Sequence, residues 1–181
     1  MSNYKRDVQC LGVGGNVELY AFPFVKYSRS QIKIENNYLT LFPYSAIYKI
    51  NGLKDVSFSE QVSNEVGGLQ VNQDLNYNLI KITPTDILSD FVNKQWRFIA
   101  KDNNGYYRLI GLRKSLDGQY NKVTGQNKSD FNGFNFSFKG IEEEEAPFLE
   151  NLDGFDIIDG DFLLKENGFF LLLEDLAKIK L

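Results

Sequence analysis

At 181 residues, with 43% hydrophobic and 24% charged side chains, the chain has room for one domain with a full core plus an appendage. A net charge of −4, with Lys and Arg scattered along the chain, excludes a protein that grips nucleic acid through clustered phosphate contacts. His is absent, Cys10 is the single cysteine, and neither GxGxxG nor GxxxxGK[ST] occurs, so the expectation is a non-enzyme with no cofactor and no metal.

Fifteen Phe and ten Tyr, with Gly and Asn recurring at short intervals, predict an all-β, mainly antiparallel chain. The opening CLGVGG reads as a turn. Residues 31–35 (QIKIE) and 37–42 (NYLTLF) flank Asn36-Asn37, which supplies the positive φ of a tight hairpin, and 45–50 (SAIYKI) follows as a further strand. Residues 56–83 predict a long hairpin arm with Gly67 and Gly68 at its tip. Val56, Phe58, Leu69, Val71, Leu75 and Tyr77 give that arm apolar surface, and they are the candidates for contact with a neighbouring subunit. One short flanking helix is expected over 86–93, capped by Thr85, with Ile87, Leu88, Phe91 and Val92 on one stripe.

Residues 96–101 (WRFIAK) and 106–112 (YYRLIGL) predict a hairpin around Asp102, Asn103, Asn104 and Gly105. Phe134, Phe136 and Phe138 alternate with polar residues, which predicts a central strand. The run Glu142, Glu143, Glu144, Glu145 before Pro147 marks a boundary. The expected division is a β domain over 1–140, an acidic linker over 141–152 and a C-terminal meander over 153–181.

The meander rests on a repeat, GDFLLKEN followed by GFFLLLED. Asp159-Gly160 and Asn167-Gly168 are two-residue turn signals between short strands near 155–158, 161–166 and 169–174. Three short strands do not cover themselves in water, so Phe162, Leu164, Phe170 and Leu172 need either the chain's own domain or another protein surface. The acidic linker before them points to a partner surface. The longest apolar run, 169–173, falls far short of the roughly 20 residues that span a bilayer as a helix, so no membrane partner is expected.

CLGVGG, the hairpin KDNNGYYRLIG, the loop VTGQNKSDFNG and the strand FNFSFKGIEEEEAPF together resemble structural proteins from the tails and necks of bacteriophages that infect Bacteroidetes-type bacteria. The resemblance covers roughly residues 10–148. It implies a virion protein made in the host cytoplasm, with a tail-tube-like β sandwich or barrel and one flanking helix. It also implies assembly as a homo-oligomeric ring beside other tail or neck proteins, through which DNA passes without specific binding. The alternative is a carbohydrate-binding or adhesin-like β-sandwich module, in which Trp96, Tyr106 and Tyr107 are the residues able to stack on sugars.

Overall fold

The computed structural model describes residues 15–43, 45–65, 68–80, 91–125 and 130–158. Among these the chain is mostly β. In chain order the strands are β1 (Asn16–Pro23), β2 (Lys33–Glu35), β3 (Tyr38–Leu41), β4 (Ser45–Lys49), β5 (Leu53–Glu65), β6 (Gly68–Leu79), β7 (Trp96–Asp102), β8 (Tyr107–Ile110), β9 (Asp117–Val123), β10 (Gly133–Glu142), β11 (Phe148–Leu149) and β12 (Phe155–Ile158). They form an eight-stranded sheet in the order β12-β4-β1-β7-β8-β11-β3-β2 and a four-stranded sheet in the order β5-β6-β10-β9. The sheets curl into a half-barrel.

Local chemistry sets the hairpins. Asn36 (φ 52°) and Asn37 (φ 68°) turn β2 into β3 as the sequence predicts, because asparagine tolerates the left-handed region. Between β7 and β8, the Asp102 carboxylate accepts from the backbone N–H groups of Asn104 (2.8 Å) and Tyr106 (2.9 Å), and Gly105 takes φ 89°. The long hairpin is present as β5 and β6, paired from Leu53↔Leu79 to Glu65↔Gly68.

Two cores flank the middle of the large sheet. The first lies between the sheets, where Leu19, Ala21, Phe98 and Ala100 meet Leu75, Tyr77, Phe134, Phe136 and Phe138. The Tyr77 ring stacks on Phe136 and Phe138 with centroids 5.0 and 6.0 Å away, and Phe98 meets Phe138 at 4.7 Å. The three phenylalanines make β10 central, paired to β6 on one side and β9 on the other. Glycine at 118 is required by that packing, since a Cβ there would lie 2.4 Å from the Phe138 ring.

The second core fills the curl of the large sheet with Tyr20, Phe22, Ile32, Ile47, Ile99, Leu109, Leu112, Leu149 and Leu152. β1 and β7 therefore have neighbours on both faces, and residues 96–100 are all buried. Arg97 is among them, at 1% exposure. Its Nε donates to the Gly111 carbonyl (3.0 Å) and its NH2 nitrogen to the Leu112 carbonyl (3.1 Å). The guanidinium carbon lies 4.3 Å from the Phe24 ring centroid, 5.0 Å from Tyr27 and 5.6 Å from Phe42. Burial lowers its pKa to about 10, which leaves it charged at neutral pH.

The structure corrects the expected break after residue 140. β10 continues to Glu142, which is 1% exposed, and β11 and β12 both join the large sheet. Glu142 Oε1 accepts from the backbone N–H groups of Arg113 (2.9 Å) and Lys114 (2.8 Å). Glu143 pairs with Arg29 at 2.9 Å and Glu144 with Arg113 at 3.3 Å, so the like charges are dispersed onto separate partners. The Pro147 carbonyl accepts from the Leu109 N–H at 3.0 Å. The acid run thus fastens the chain to its own domain instead of forming a solvated linker. β12 pairs in parallel with β4, so 155–158 is a strand of the main sheet and not the first strand of a separate meander. Of the helix expected over 86–93, the described residues include Phe91 and Val92, which are helical, and Asn93, which is in a turn; the remainder lies outside them. Phe162, Leu164, Phe170 and Leu172 lie outside them as well.

Two stability outcomes follow. Arg97→Lys keeps the charge but loses the planar fork and its stacking, and should cost about 1.5–3 kcal/mol in urea unfolding. Glu142→Ala, which strands two partly buried N–H groups, should cost about 1–3 kcal/mol, whereas Glu142→Gln keeps an acceptor and should cost less than about 1 kcal/mol. Burial holds the Glu142 pKa above its ordinary value of 4.5, against the backbone hydrogen bonds that lower it. Its ionisation therefore opposes folding as the pH rises above 4.5, and the stability of Glu142→Gln relative to the parent should improve over that window. Equal losses for Ala and Gln, or no pH trend, would contradict this role.

Candidate functional site

β6 reads GLQVNQDLNYNL, and its odd-numbered residues from Val71 to Leu79 are all buried. The even-numbered set, Gln70, Asn72, Asp74, Asn76 and Asn78, stands on the opposite face of the four-stranded sheet. Strand register carries this polar set across the sheet in rows. Ser57, Asn76, Ser137 and Gln119 form one row, and Asn78, Asn135 and Asn121 another. Ser59, Asp74, Lys139 and Asp117 form a third, and Gln61, Asn72 and Ile141 a fourth.

Most of the face is amides and hydroxyls, with Asp74, Lys139, Asp117 and Ile141 as the exceptions in these rows. Its one lysine in these rows, Lys139, sits between two acids and pairs with Asp74 at 3.1 Å. Asn76 donates to Asp74 (2.7 Å) and Asn78 to Asp55 (3.3 Å), which fixes the side chains of β6 along the sheet. Toward the end of β10, an open groove of about 750 Å³ is lined by Gln70, Asn72, Asp74, Lys114, Asp117 and Lys139, among others. Such a surface is hydrated and close to neutral, and it offers a polyanion no row of unpaired cations.

Both margins of this sheet are open among the described residues. β5, thirteen residues long, is one edge strand and β9 is the other. An edge strand presents unpaired backbone N–H and C=O groups and is a template for a further strand. The hairpin tip adds Val62 (46% exposed) and Leu69 (49%), while Ile141 (49%) projects from the last polar row.

The candidate contact residues divide on these grounds. Val56, Val71, Leu75 and Tyr77 are buried within the subunit, with Val56, Leu75 and Tyr77 packed in the core between the sheets, so these four side chains are turned away from any partner. Phe58 is partly buried against the same core, and Leu69 is exposed. Internal polar bonds also tie the hairpin down: Gln73 accepts from the Gly111 N–H (3.0 Å) and donates to Glu60 (2.9 Å), which accepts from the Ala146 N–H (2.7 Å).

Trp96 is also unavailable to a ligand. It is 4% exposed, its indole N–H donates to the Phe91 carbonyl at 2.6 Å, and its ring packs 4.5 Å from that of Phe91. Tyr107 is half-buried. Tyr106 is 51% exposed and meets Phe148, which in turn meets Tyr38, with centroids 6.0 and 5.7 Å apart. Among the described residues no group of three or more His, Cys, Asp and Glu side chains is placed to hold a metal ion. No protein-family model matches the chain, and no curated protein or solved structure matches it with significance.

Proposed function

We propose that the chain is a ring-forming structural subunit of a bacteriophage virion, a tail or neck component whose copies surround the DNA channel. The observation that carries this reading is a sheet face rich in amides and hydroxyls, its one lysine held between Asp74 and Asp117, bounded among the described residues by two different open edges, β5 and β9. The reading also draws on the resemblance seen in the sequence motifs of residues 10–148, which is where the phage assignment comes from.

The strand directions suit such a ring. Each neighbouring pair in β5-β6-β10-β9 is antiparallel, so β9 of one copy meets β5 of the next in antiparallel sense. Repetition of that one heterologous contact, with a rotation at each step, closes a ring. The polar rows then line the bore. DNA moving through would meet water-bearing amides and a lysine already matched by acids, so it would pass without being held. Other tail or neck proteins would stack on the two ends of the ring within the virion.

Imaging of the purified protein by electron microscopy should show a closed ring. Of Asn121→Pro and Lys122→Pro, the variant that leaves the hydrogen bonds between β9 and β10 intact should stay folded by circular dichroism and lose the ring. A folded parent protein that stays monomeric at high concentration would refute the proposal. The carbohydrate-binding reading retains one observation, the Tyr106, Phe148 and Tyr38 cluster. It would gain from a monomeric protein whose glycan binding disappears in Tyr106→Ala.

A further inference from the structure

The small sheet ends unevenly, because β10 is ten residues long and β9 only seven. β6 pairs with β10 as far as Glu142, whereas β9 stops opposite Lys139. Among the described residues, Gly140–Glu142 therefore has a strand on one side only. Upstream of Asp117 the chain has left this sheet: Leu116 pairs with Trp96 of the large sheet, and the Glu142 carboxylate holds the Arg113 and Lys114 N–H groups. A Cβ at Gly140 would lie 2.6 Å from the Leu116 side chain, so this segment is pressed under the end of β10 and does not extend β9. The result is a notch at one corner of the sheet. The open groove of about 750 Å³ occupies it, with Lys114, Ser115, Asp117, Gly140 and Ile141 in its lining.

The opposite edge carries the reverse excess. β5 is thirteen residues long, six more than β9. Ser59 is level with Asp117 in the row that also holds Asp74 and Lys139, so the backbone of 60–65 lies beyond the end of β9. On this overhang Gln61 is exposed and Val62 is 46% exposed. Copies in a closed ring are related by rotation alone, so a row of one copy continues near the level of the same row in the next. Strand tilt moves the match in steps of two residues, because an odd slip exchanges the two faces, and a shift of one step still leaves an overhang. We propose that the projecting end of the β5-β6 hairpin of one copy fills the notch of the next. The inference rests on the ring reading: it is the contact between β9 and β5 carried past the end of β9. Val62, on the inner face with Val71, comes against the 114–115 segment, and Gln61 and Ser63 come beside Ile141, which is 49% exposed in the single subunit.

Cross-linking between isotope-labelled chains tests this. In a Cys10→Ser background, a heavy chain carrying Gln61→Cys and a light chain carrying Lys114→Cys, both at exposed positions, are refolded together and treated with a short bis-maleimide. Links between heavy and light chains should form. Gln61→Cys mixed with Lys33→Cys, an exposed site on β2 of the other sheet, should give none. A second pair, Ser63→Cys with Ser115→Cys, reads the same contact if either first substitution disturbs folding. No link in both notch pairs, or equal yields in the notch and β2 mixtures, overturns the inference. Electron microscopy of the same samples separates it from the ring itself. Rings without the link overturn the seating and leave the ring reading standing, whereas the link without rings supports the seating and overturns the ring.

Discussion

The large sheet has to hide both faces of its central strands, and a single smaller sheet is available to cover one of them. Leu19, Ala21, Phe98 and Ala100 are covered by the four-stranded sheet; Tyr20, Phe22 and Ile99, their neighbours in sequence, point the other way. Those residues reach cover because the sheet curls until β12 and the end of β3 approach one another, where Phe155 meets Phe42. The half-barrel is the geometric answer to a run of residues apolar on two sides. Arg97 shows how strongly that constraint binds. A guanidinium on a strand buried on both faces is tolerated by giving it two carbonyls and three aromatic rings.

The same constraint frees the outer face of the small sheet. Since its inner face is fully used by Tyr77, Phe136 and Phe138, the opposite positions on β6 and β10 owe nothing to packing. They carry mostly Asn, Gln and Ser, together with Asp74, the Lys139 it pairs with, and the exposed Ile141. The polar clamp formed by Gln73, Glu60 and Ala146 fixes the sheet against the 141–147 segment, so the face is held by the core behind it.

Much of the fold is legible locally. Asn36-Asn37, the turn from Asp102 to Gly105 and the Phe134, Phe136, Phe138 alternation each act through neighbouring residues, and each lies where its chemistry directs it. The misreadings share a cause. A charged residue in a strand reads as solvent-facing, so nothing at Arg97 signals two-sided burial. Four glutamates in a row read as a linker, because the backbone N–H groups that receive Glu142 come from residues 113 and 114, remote in sequence. β11 pairs in parallel with β3, and β12 with β4; parallel pairing leaves no turn signal to find. At the candidate site, attention to Val71, Leu75 and Tyr77 selected the half of β6 that is core. The informative half was the Asn, Gln and Asp set between them.

The parallel pairings also order events in time. Phe148 meets Tyr38 and Phe155 meets Ser45, each across a separation of 110 residues. Closing such a loop costs chain entropy before any contact repays it, whereas the hairpin of β5 and β6 forms between adjacent segments. During synthesis the second core stays unsealed until the ribosome has released residues 148–158. Up to that moment β3 and β4 keep edges that the finished protein covers, which makes the nascent chain most prone to mispairing just before its C-terminal part emerges.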